Sequence, residues 1–469
     1  MDKENSIFKL LEEKFSSDRW YYSYSLANLA AGGVSILIPL YVLHLGGEVS
    51  DIGLLTAAGN LVGIAASLTW GALSDRWNRR KLFVVIGFLG VGLSFILMSI
   101  VETFSLLLLL NSTYILFWMS AASVATILII ENENRGDWDH KIASFNFSSG
   151  LGWTLGLAIG FAWASLSGMV LAEELALRSL FVILGISGLV GGVCAVRWIP
   201  GEVKFDRSKF RGRLVEAGDL ITERFRYLPI HLYYLLNPTK LLNTADKLGP
   251  ELSAFLVAVG LTFSGFSIFF IPLPAYFKSV IGVGDGTIYI LFIANALSGT
   301  LFYRPAAKLT KKVGPRKVLP VSLVLRIVLF PLIVVPFAAI DGSFLQLLAT
   351  AGIFVAIGTT WAFINVSNLV IVSNLTEGRI KGQIFGIYNS INGASLVIGS
   401  LIGGYLAKFS GYLATFLLAS LFIALGLSII RGVNYTAPRC GACRKTNLTT
   451  DFVLLQKKTQ HSNEESCLD

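Results

Sequence analysis

The sequence predicts an all-helical membrane protein in which twelve transmembrane helices form two pseudo-repeats of six. Only 14% of its 469 residues are charged and 54% are hydrophobic, whereas ordinary soluble domains carry about 25% charged residues. Long apolar runs separate the charges, and about 20 such residues cross a bilayer as a helix. Short basic turns in two distant parts of the chain also match each other, which indicates a duplication.

Twelve apolar spans can be marked between the charged segments. They lie at 20–44, 51–74, 81–100, 103–130, 142–165, 178–198, 252–276, 286–307, 317–340, 343–371, 383–406 and 411–431. Only helices or closed barrels satisfy backbone polar groups in lipid. These spans are too long and too unalternating for barrel strands, so they predict a helical bundle.

The distribution of Lys and Arg predicts the orientation, because short cytoplasmic loops carry an excess of both residues. With both termini in the cytoplasm, only four of the 38 lie elsewhere: Arg178, Lys278 and Lys408 outside, and Arg326 within the ninth span. The first nineteen residues lack the apolar core of a signal peptide. We therefore expect a multi-pass protein of the cell membrane with cytoplasmic termini.

The domain organisation follows from these spans. We expect a cytoplasmic segment at 1–19, a six-helix bundle at 20–199, a basic central loop at 200–250, a second bundle at 251–432 and a cytoplasmic tail at 433–469. Fragments of the loop such as ERFRYLPIHLYYLL mix apolar and basic residues. They fit an amphipathic helix on the inner leaflet or a solvated linker.

Two internal matches support the duplication. Arg80 and Lys81 align with Arg316 and Lys317, both pairs in short cytoplasmic turns. A second alignment sets five residues in and just after span five on five in and just after span eleven. These are Asn146, Gly150, Gly156, Gly160 and Gly168, matched by Asn389, Gly393, Gly399, Gly403 and Gly411.

The turn between spans two and three reads GALSDRWNRRKL. Together with twelve spans in two related halves and a long basic central loop, it resembles the major facilitator superfamily, and multidrug-efflux members in particular, over residues 20–431. Asn78 stands where that family usually has glycine, and Asn is the next best residue for a left-handed backbone. In the second-half copy, Lys311 replaces the aspartate.

The resemblance implies that this turn is a conformational latch, made in the outward-open state and broken in the inward-open one. Its residues are Gly71, Asp75, Arg76, Arg79, Arg80 and Lys81, with Arg316 and Lys317 in the second half. Gly71 would let span two approach the other half closely. Asp75 would lie near the amino end of span eleven, where the helix dipole favours a carboxylate. A positive-inside signal alone would explain the cations but not these two residues.

Span five contains a glycine ladder, SSGLGWTLGLAIG. Gly152, Gly156 and Gly160 fall on one helix face, and Gly399 and Gly403 are their counterparts in span eleven. Such faces favour close helix packing. The ladder also resembles the family's antiporter-associated motif, although Leu157 stands where that motif has proline. Both interpretations remain open from the sequence.

The family architecture implies that spans one, four, seven and ten line a cavity, flanked by spans two, five, eight and eleven. Our candidate substrate contacts are Asn28, Trp118, Asn146, Trp153, Trp361, Asn365 and Asn389, within a wider set that includes Asn60, Asn111, Phe269 and Asn392. Asparagines can also tie helices together. Arg326 is a further candidate, because an ionisable group within a span suggests a functional site; it could instead bond a neighbouring helix or snorkel. Amides and rings with little fixed charge suit a neutral or amphipathic organic molecule.

The predicted function is secondary transport of a small organic solute by alternating access, as efflux in exchange for protons. Span four has no basic residue and no Asp or Glu, and the candidate carboxylates lie at span ends: Asp51, Glu102, Glu131, Glu133, Asp285 and Asp341. This favours the alternative of a uniporter or importer of a neutral metabolite. A transport-dead sensor or scaffold is a third hypothesis.

The sequence contains no P-loop, H-E-x-x-H or G-x-S-x-G motif, so we expect no enzyme, cofactor or nucleic-acid partner. The tail segment RCGACRK, with His461 and Cys467, is too sparse to predict a metal site. The expected partners are the lipid bilayer, a small organic substrate and protons as the coupling ion.

Overall fold

The computed structural model describes residues 19–77, 79–132, 138–167, 171–199, 250–339, 343–375 and 381–432. Within these ranges every regular element is helical, and twelve helices are long and apolar enough to cross a membrane. The predicted fold class is therefore confirmed. Our predictions for residues 1–18, for most of the central loop and for the tail with its RCGACRK segment lie outside the described residues.

The first half contains six helices. They are α1 (Tyr21–His44), α2 (Val49–Trp77), α3 (Arg80–Met98), α4 (Phe104–Asn132), α5 (Trp138–Ser167) and α6 (Glu173–Trp198). Helix α1 packs on α5 and α6, helix α3 packs on α4 and α6, and helix α2 packs on α4. Helix α6 begins five residues before its predicted span, because its first turn carries Glu173 and Glu174, which lower hydropathy but favour a helix amino end.

The second half repeats this arrangement. Its helices are α7 (Pro250–Phe270), α8 (Asp285–Val313), α9 (Pro315–Leu332), α10 (Ser343–Leu375), α11 (Lys381–Ser410) and α12 (Tyr412–Gly432). Helix α7 packs on α11 and α12, helix α9 on α10 and α12, and helix α8 on α10. Each pairing has its equivalent in the first half, as the internal sequence matches predict.

Prolines interrupt the first helix of each half. Pro39 lies inside α1. Helix α7 ends at Phe270, just before Pro272 and Pro274, and the chain continues through the short helix Leu273–Ala275 and the π-helical turn Tyr276–Ile281. Proline has no N–H and clashes with the preceding turn, so both helices lose regular backbone bonds at these points.

The glycine ladder of α5 lies against α1. A Cβ added to Gly156 would lie 2.0 Å from the carbonyl oxygen of Leu29. In the second half, a Cβ on Gly399 of α11 would lie 2.5 Å from the carbonyl oxygen of Ser264 in α7. Only glycine permits backbones to approach this closely. Gly156 and its counterpart Gly399 therefore make the same helix contact in both halves.

The halves contact each other mainly through two helix pairs, α2 with α11 and α5 with α8. The close contacts described below lie toward one end of the bundle, which we call the closed end. It contains the α1–α2, α3–α4, α5–α6, α7–α8 and α11–α12 connections. The basic end is the opposite one, with the α2–α3 and α8–α9 turns.

Candidate functional site

A cavity of about 380 Å³ lies between the two halves. Its wall combines helices α1, α2, α4 and α5 with the interrupted end of α7 and with α8. Most of the wall is apolar, and among the described residues that line it there is no Asp, Glu, Lys, Arg or His. The polar side chains in the wall are Ser35, Thr56, Asn60, Asn111, Tyr114, Trp153 and Asn295. Apolar pockets of this size with a few placed polar groups are typical binding sites for small organic molecules.

A hydrogen bond between the halves stands beside this cavity. The hydroxyl of Tyr289 in α8 donates to the backbone carbonyl of Gly33 in α1 at 2.9 Å. The Tyr289 ring is buried, and a Cβ on Gly160 of α5 would lie 2.3 Å from its Cε1 atom. Val34 and Ser35, which follow Gly33, line the cavity. This contact therefore joins the two halves directly beside the cavity.

A second contact between the halves joins α2 and α11. A Cβ on Gly404 would lie 2.9 Å from the Cα of Gly53, and a Cβ on Gly53 would lie 2.5 Å from the carbonyl oxygen of Ser400. Ile52 lines the cavity next to this contact. The two backbones meet here without intervening side chains, so the α2–α11 pair brings the halves into direct contact beside the cavity wall.

Ion pairs cross between the halves at the same end. Lys278, after α7, contacts Glu173 of α6 at 2.9 Å and Asp285 at 2.6 Å. Lys408 of α11 pairs with Glu48 in the α1–α2 connection. These two lysines are among the basic residues that the orientation rule leaves on the outer side. The third, Arg178, contacts Glu174 at 2.8 Å, so all three exceptions have acidic partners.

Most of the predicted substrate contacts do not line the cavity. Trp153 lines it, as do Asn60 and Asn111 from the wider set, whereas the other predicted contacts are not among its lining residues. Asn146 and Asn389 are exposed. Trp118 is partly buried and packs against the apolar core.

Two of the predicted asparagines bond within their own half. Asn28 donates to the carbonyl of Tyr24 one turn before it in α1, at 2.9 Å. Asn365 of α10 donates to the hydroxyl of Tyr303 in α8 at 3.0 Å. The Asn365 bond ties α10 to α8, which is the alternative that the sequence left open for these amides, whereas the Asn28 bond stays within α1.

Arg326 is fully buried between helices of the second half. Its Nε donates to Thr360 Oγ1 at 3.0 Å, and its Nη2 donates to the Ile357 carbonyl at 3.1 Å, both in α10. The guanidinium carbon lies 4.2 Å from the ring centroid of Phe266 and 5.5 Å from that of Trp361. Arg326 thus bonds a neighbouring helix and does not snorkel.

No carboxylate balances this buried charge in the helices packed around Arg326. The described parts of α9, α10 and α12 contain no Asp or Glu, and the one acid of α7, Glu251, is in its first turn. The Nη1 atom of Arg326 is buried without a hydrogen-bond partner. The ring faces of α7 and α10 supply part of the stabilisation through cation–π contacts.

The predicted latch turn lies at the basic end. A Cβ on Gly71 would meet no atom of a described residue within 4 Å, and Arg80 donates to the Ser74 hydroxyl at 2.6 Å. The side chains of Asp75 and Arg76, and those around Gly382 and Gln383 at the start of α11, lie outside the described residues. In this conformation the structure therefore leaves room beside Gly71, and the latch stays a prediction.

The candidate edge carboxylates are accounted for where the structure describes them. Asp285 bonds Lys278, Glu102 lies 3.8 Å from Arg178, and Asp51 accepts from the backbone N–H of Glu48 at 2.8 Å. The side chains of Glu131, Glu133 and Asp341 lie outside the described residues. The described carboxylates all lie at helix ends.

Sequence reasoning missed several residues that shape the site. Ser35, Thr56 and Asn295 line the cavity, but they stand in apolar runs in which a single polar residue is not conspicuous. Tyr289 was also missed, although its hydroxyl is the one polar group among the side chains of the stretch IYILF. Proline four residues after Ser35 is a signal that could have identified that turn of α1.

Comparison with protein families gives a match to the model described as Major Facilitator Superfamily, over residues 21–303 and 255–439. A similar protein is an uncharacterized MFS-type transporter of Methanocaldococcus jannaschii. It is 23% identical over 414 residues, which cover 87% of this chain and 91% of that protein.

Several solved structures share the fold. A mutant of the nucleoside transporter NupG superposes with a TM-score of 0.68 at 15% identity, covering 89% of this chain and 99% of the other. A bacterial homolog to the human lysosomal transporter Spinster, in an inward-facing and unoccupied conformation, gives 0.64 at 12%, covering 89% and 96%. The peptide transporter POT, in complex with sulfate, gives 0.64 at 14%, covering 88% and 94%.

Proposed function

The chain belongs to the major facilitator superfamily, and from that premise we propose that it moves a small organic solute across a membrane by alternating access. In such transporters two related halves rock about a site between them. Such a site must be large enough for a solute and must be closed on one side at a time.

One observation carries this proposal: the cavity lies between the halves and is closed at one end by contacts that cross from half to half. The bond from Tyr289 to Gly33 and the contact of Gly53 with Gly404 are of this kind. Both join separate rigid bundles through a few groups, so they can break without unfolding either bundle. A scaffold protein has no need of such a closure around a cavity.

The cavity also supports an uncharged or amphipathic solute. Strongly anionic substrates are held by Arg or Lys, and no described residue of these types lines the cavity. The similar solved structures carry different substrates in their names, so they do not favour one substrate for this chain. We therefore base the substrate class on the cavity wall.

Two modes of coupling remain as proposals, and each rests on a specific feature. The glycine ladder at Gly152, Gly156 and Gly160 resembles an antiporter motif and supports efflux in exchange for protons. The absence of a described carboxylate from the cavity wall supports a uniporter or importer, because a proton carrier must titrate.

We propose the cell membrane as the location and, from the Lys and Arg distribution, cytoplasmic termini with the closed end outside.

The test is solute flux into proteoliposomes of the purified chain, with and without an imposed pH gradient. The solutes are amphipathic dyes, sugars and amino acids, and the controls are protein-free vesicles and a Gly404→Leu variant that cannot close the α2–α11 contact. Accumulation of dye driven by the gradient would support the proton antiporter. Equilibration of a neutral solute without a gradient would support the uniporter. Equal flux in protein and protein-free vesicles for every solute would contradict the transport function.

A further inference from the structure

Two of the three described hydroxyl groups in the cavity wall, those of Ser35 and Thr56, donate their hydrogens to the backbone. The Tyr114 hydroxyl and the Trp153 indole N–H are further side-chain donors of the wall. Thr56 donates to the carbonyl of Ile52 at 2.8 Å, and Ser35 donates to the carbonyl of Gly32 at 2.6 Å. A hydroxyl has one hydrogen and two lone pairs. Each of these side chains therefore offers a solute in the cavity only its lone pairs.

The three asparagines of the wall show the same bias. Asn60, Asn111 and Asn295 each donate one amide N–H to a backbone carbonyl, at 2.9, 3.2 and 3.0 Å. A carbonyl can only accept, so the NH₂ group must face it and the amide orientation is fixed. Among the described residues no donor reaches the three Oδ1 atoms. Each amide keeps its full accepting capacity and half of its donating capacity.

Two prolines add backbone acceptors at the same place. Pro39 of α1 has no N–H for the carbonyl of Ser35, four residues earlier, and Pro274 has none for the carbonyl of Phe270. All four residues line the cavity. Helices α1 and α7 are the equivalent first helices of the two halves, so the duplicated fold brings one such turn to the cavity from each side. Backbone carbonyls freed at helix breaks coordinate ions at the repeat interfaces of other transporters.

We infer that this cavity binds an uncharged solute that donates several hydrogen bonds, through hydroxyl or amide N–H groups carried on a partly apolar frame. The acceptors of Ser35, Thr56 and the three amides receive these hydrogens, while the apolar wall covers the rest of the solute. An organic cation would lack a carboxylate partner in the described wall. The inference rests on the proposed function in taking this cavity as the solute site.

The probes are phenyl glucoside and its deoxyfluoro analogues, in which fluorine keeps nearly the size of a hydroxyl but cannot donate. Binding to the purified chain in detergent is measured by calorimetry. Phenyl glucuronide and a phenylalkyl ammonium of similar size provide an anionic and a cationic comparison. We expect phenyl glucoside to bind about three- to tenfold more tightly than each analogue that lacks a bonded donor.

Matched variants locate the effect. Thr56→Val should weaken the binding of phenyl glucoside by about three- to tenfold. It should not change the affinity of the deoxyfluoro analogue that binds the parent protein most weakly. Thr113→Val is the control, because Thr113 makes the same bond to its own helix, at 2.8 Å, but does not line the cavity.

Equal affinity of glucoside and analogues, no binding of the glucoside, or tighter binding of a charged probe would overturn the inference. Flux in proteoliposomes is scored separately, so donor-dependent binding without flux would contradict the proposed transport alone.

Discussion

The hydroxyl of Tyr289 and the backbone carbonyl of Gly33 form a 2.9 Å hydrogen bond between residues 256 positions apart in the chain. It joins the first helix of one half to the second helix of the other, beside the cavity. Because the bond is buried, its loss when the halves separate leaves polar groups that need new partners. We therefore interpret it as one determinant of how long the closed end stays closed.

Tyr289→Phe should shift the protein away from the form with the closed end shut. The substitution removes the donor but keeps the ring against Gly160, and one buried hydrogen bond contributes about 0.5–1.5 kcal/mol, or roughly three- to tenfold in the ratio of the two forms. The measurement is the labelling rate of Ser50→Cys by a membrane-impermeant maleimide, in a background without the native cysteines. Ser50 is buried at this end.

Tyr41→Phe is the matched control for that measurement. Tyr41 also donates its hydroxyl to a backbone carbonyl, that of Val101, but within the first half. Its loss should lower stability without changing the labelling rate of the Ser50→Cys reporter. Equal labelling in the Tyr289→Phe variant and its parent would contradict the role assigned to the Tyr289 bond.

Gly404→Ala should slow transport by preventing complete closure of the α2–α11 contact. Its Cβ would lie 2.9 Å from Gly53 Cα and from the Val49 carbonyl oxygen, and relieving such overpacking costs about 1–3 kcal/mol. Solute flux and reporter labelling at Ser50→Cys measure the effect. Gly352→Ala in α10 is the control, because its Cβ would meet no atom within 4 Å. Comparable flux in the two variants would exclude a role for this contact.

Gly71→Leu should hold the protein in the form described here. The larger side chain finds no atom within 4 Å of its Cβ now but would block approach of α2 to the other half if the predicted latch forms at the basic end. We expect turnover to fall strongly while expression, thermal stability and solute binding stay near the parent values.

Asp75→Asn tests the same latch from its proposed carboxylate. A neutral amide would lose most of the attraction to the positive amino end of α11, which is worth about 0.3–1 kcal/mol or more when partly buried. Turnover should fall while solute binding persists. Turnover at the parent rate in both the Gly71→Leu and Asp75→Asn variants would contradict the latch. The turn would then act only as a positive-inside topology signal.

Thr360→Val should destabilise the second half by about 1–3 kcal/mol, because it leaves Nε of the buried Arg326 without its partner. Arg326→Met should cost much less, since it removes the buried charge together with its requirement for partners. Thermal unfolding of the purified variants measures both changes. In the double variant the Thr360→Val penalty should disappear.

The solute affinity of Arg326→Met separates a structural role from a substrate contact. If Arg326 only ties α9 to α10 and α7, the variant should bind solute as the parent does. A large loss of affinity with unchanged thermal stability would instead restore the substrate role that the sequence suggested.

The candidate site was only partly predictable from the sequence. Trp153, Asn60 and Asn111 were expected near a cavity because amides and indoles are conspicuous in apolar spans. Asn365 was equally conspicuous, yet it bonds Tyr303. Residue type shows that a polar group needs a partner, but it does not show whether that partner is another helix or a solute.

The sequence by itself determined the twelve helices and their duplication, because these depend on local hydropathy and on spacing, and it predicts their orientation from the positions of Lys and Arg. Only the tertiary structure decided which groups meet across the halves, such as Tyr289 with Gly33, Gly53 with Gly404 and Lys278 with Glu173. Such contacts depend on helix rotation and on the relative position of two separate bundles. No periodicity within a single span specifies either of them.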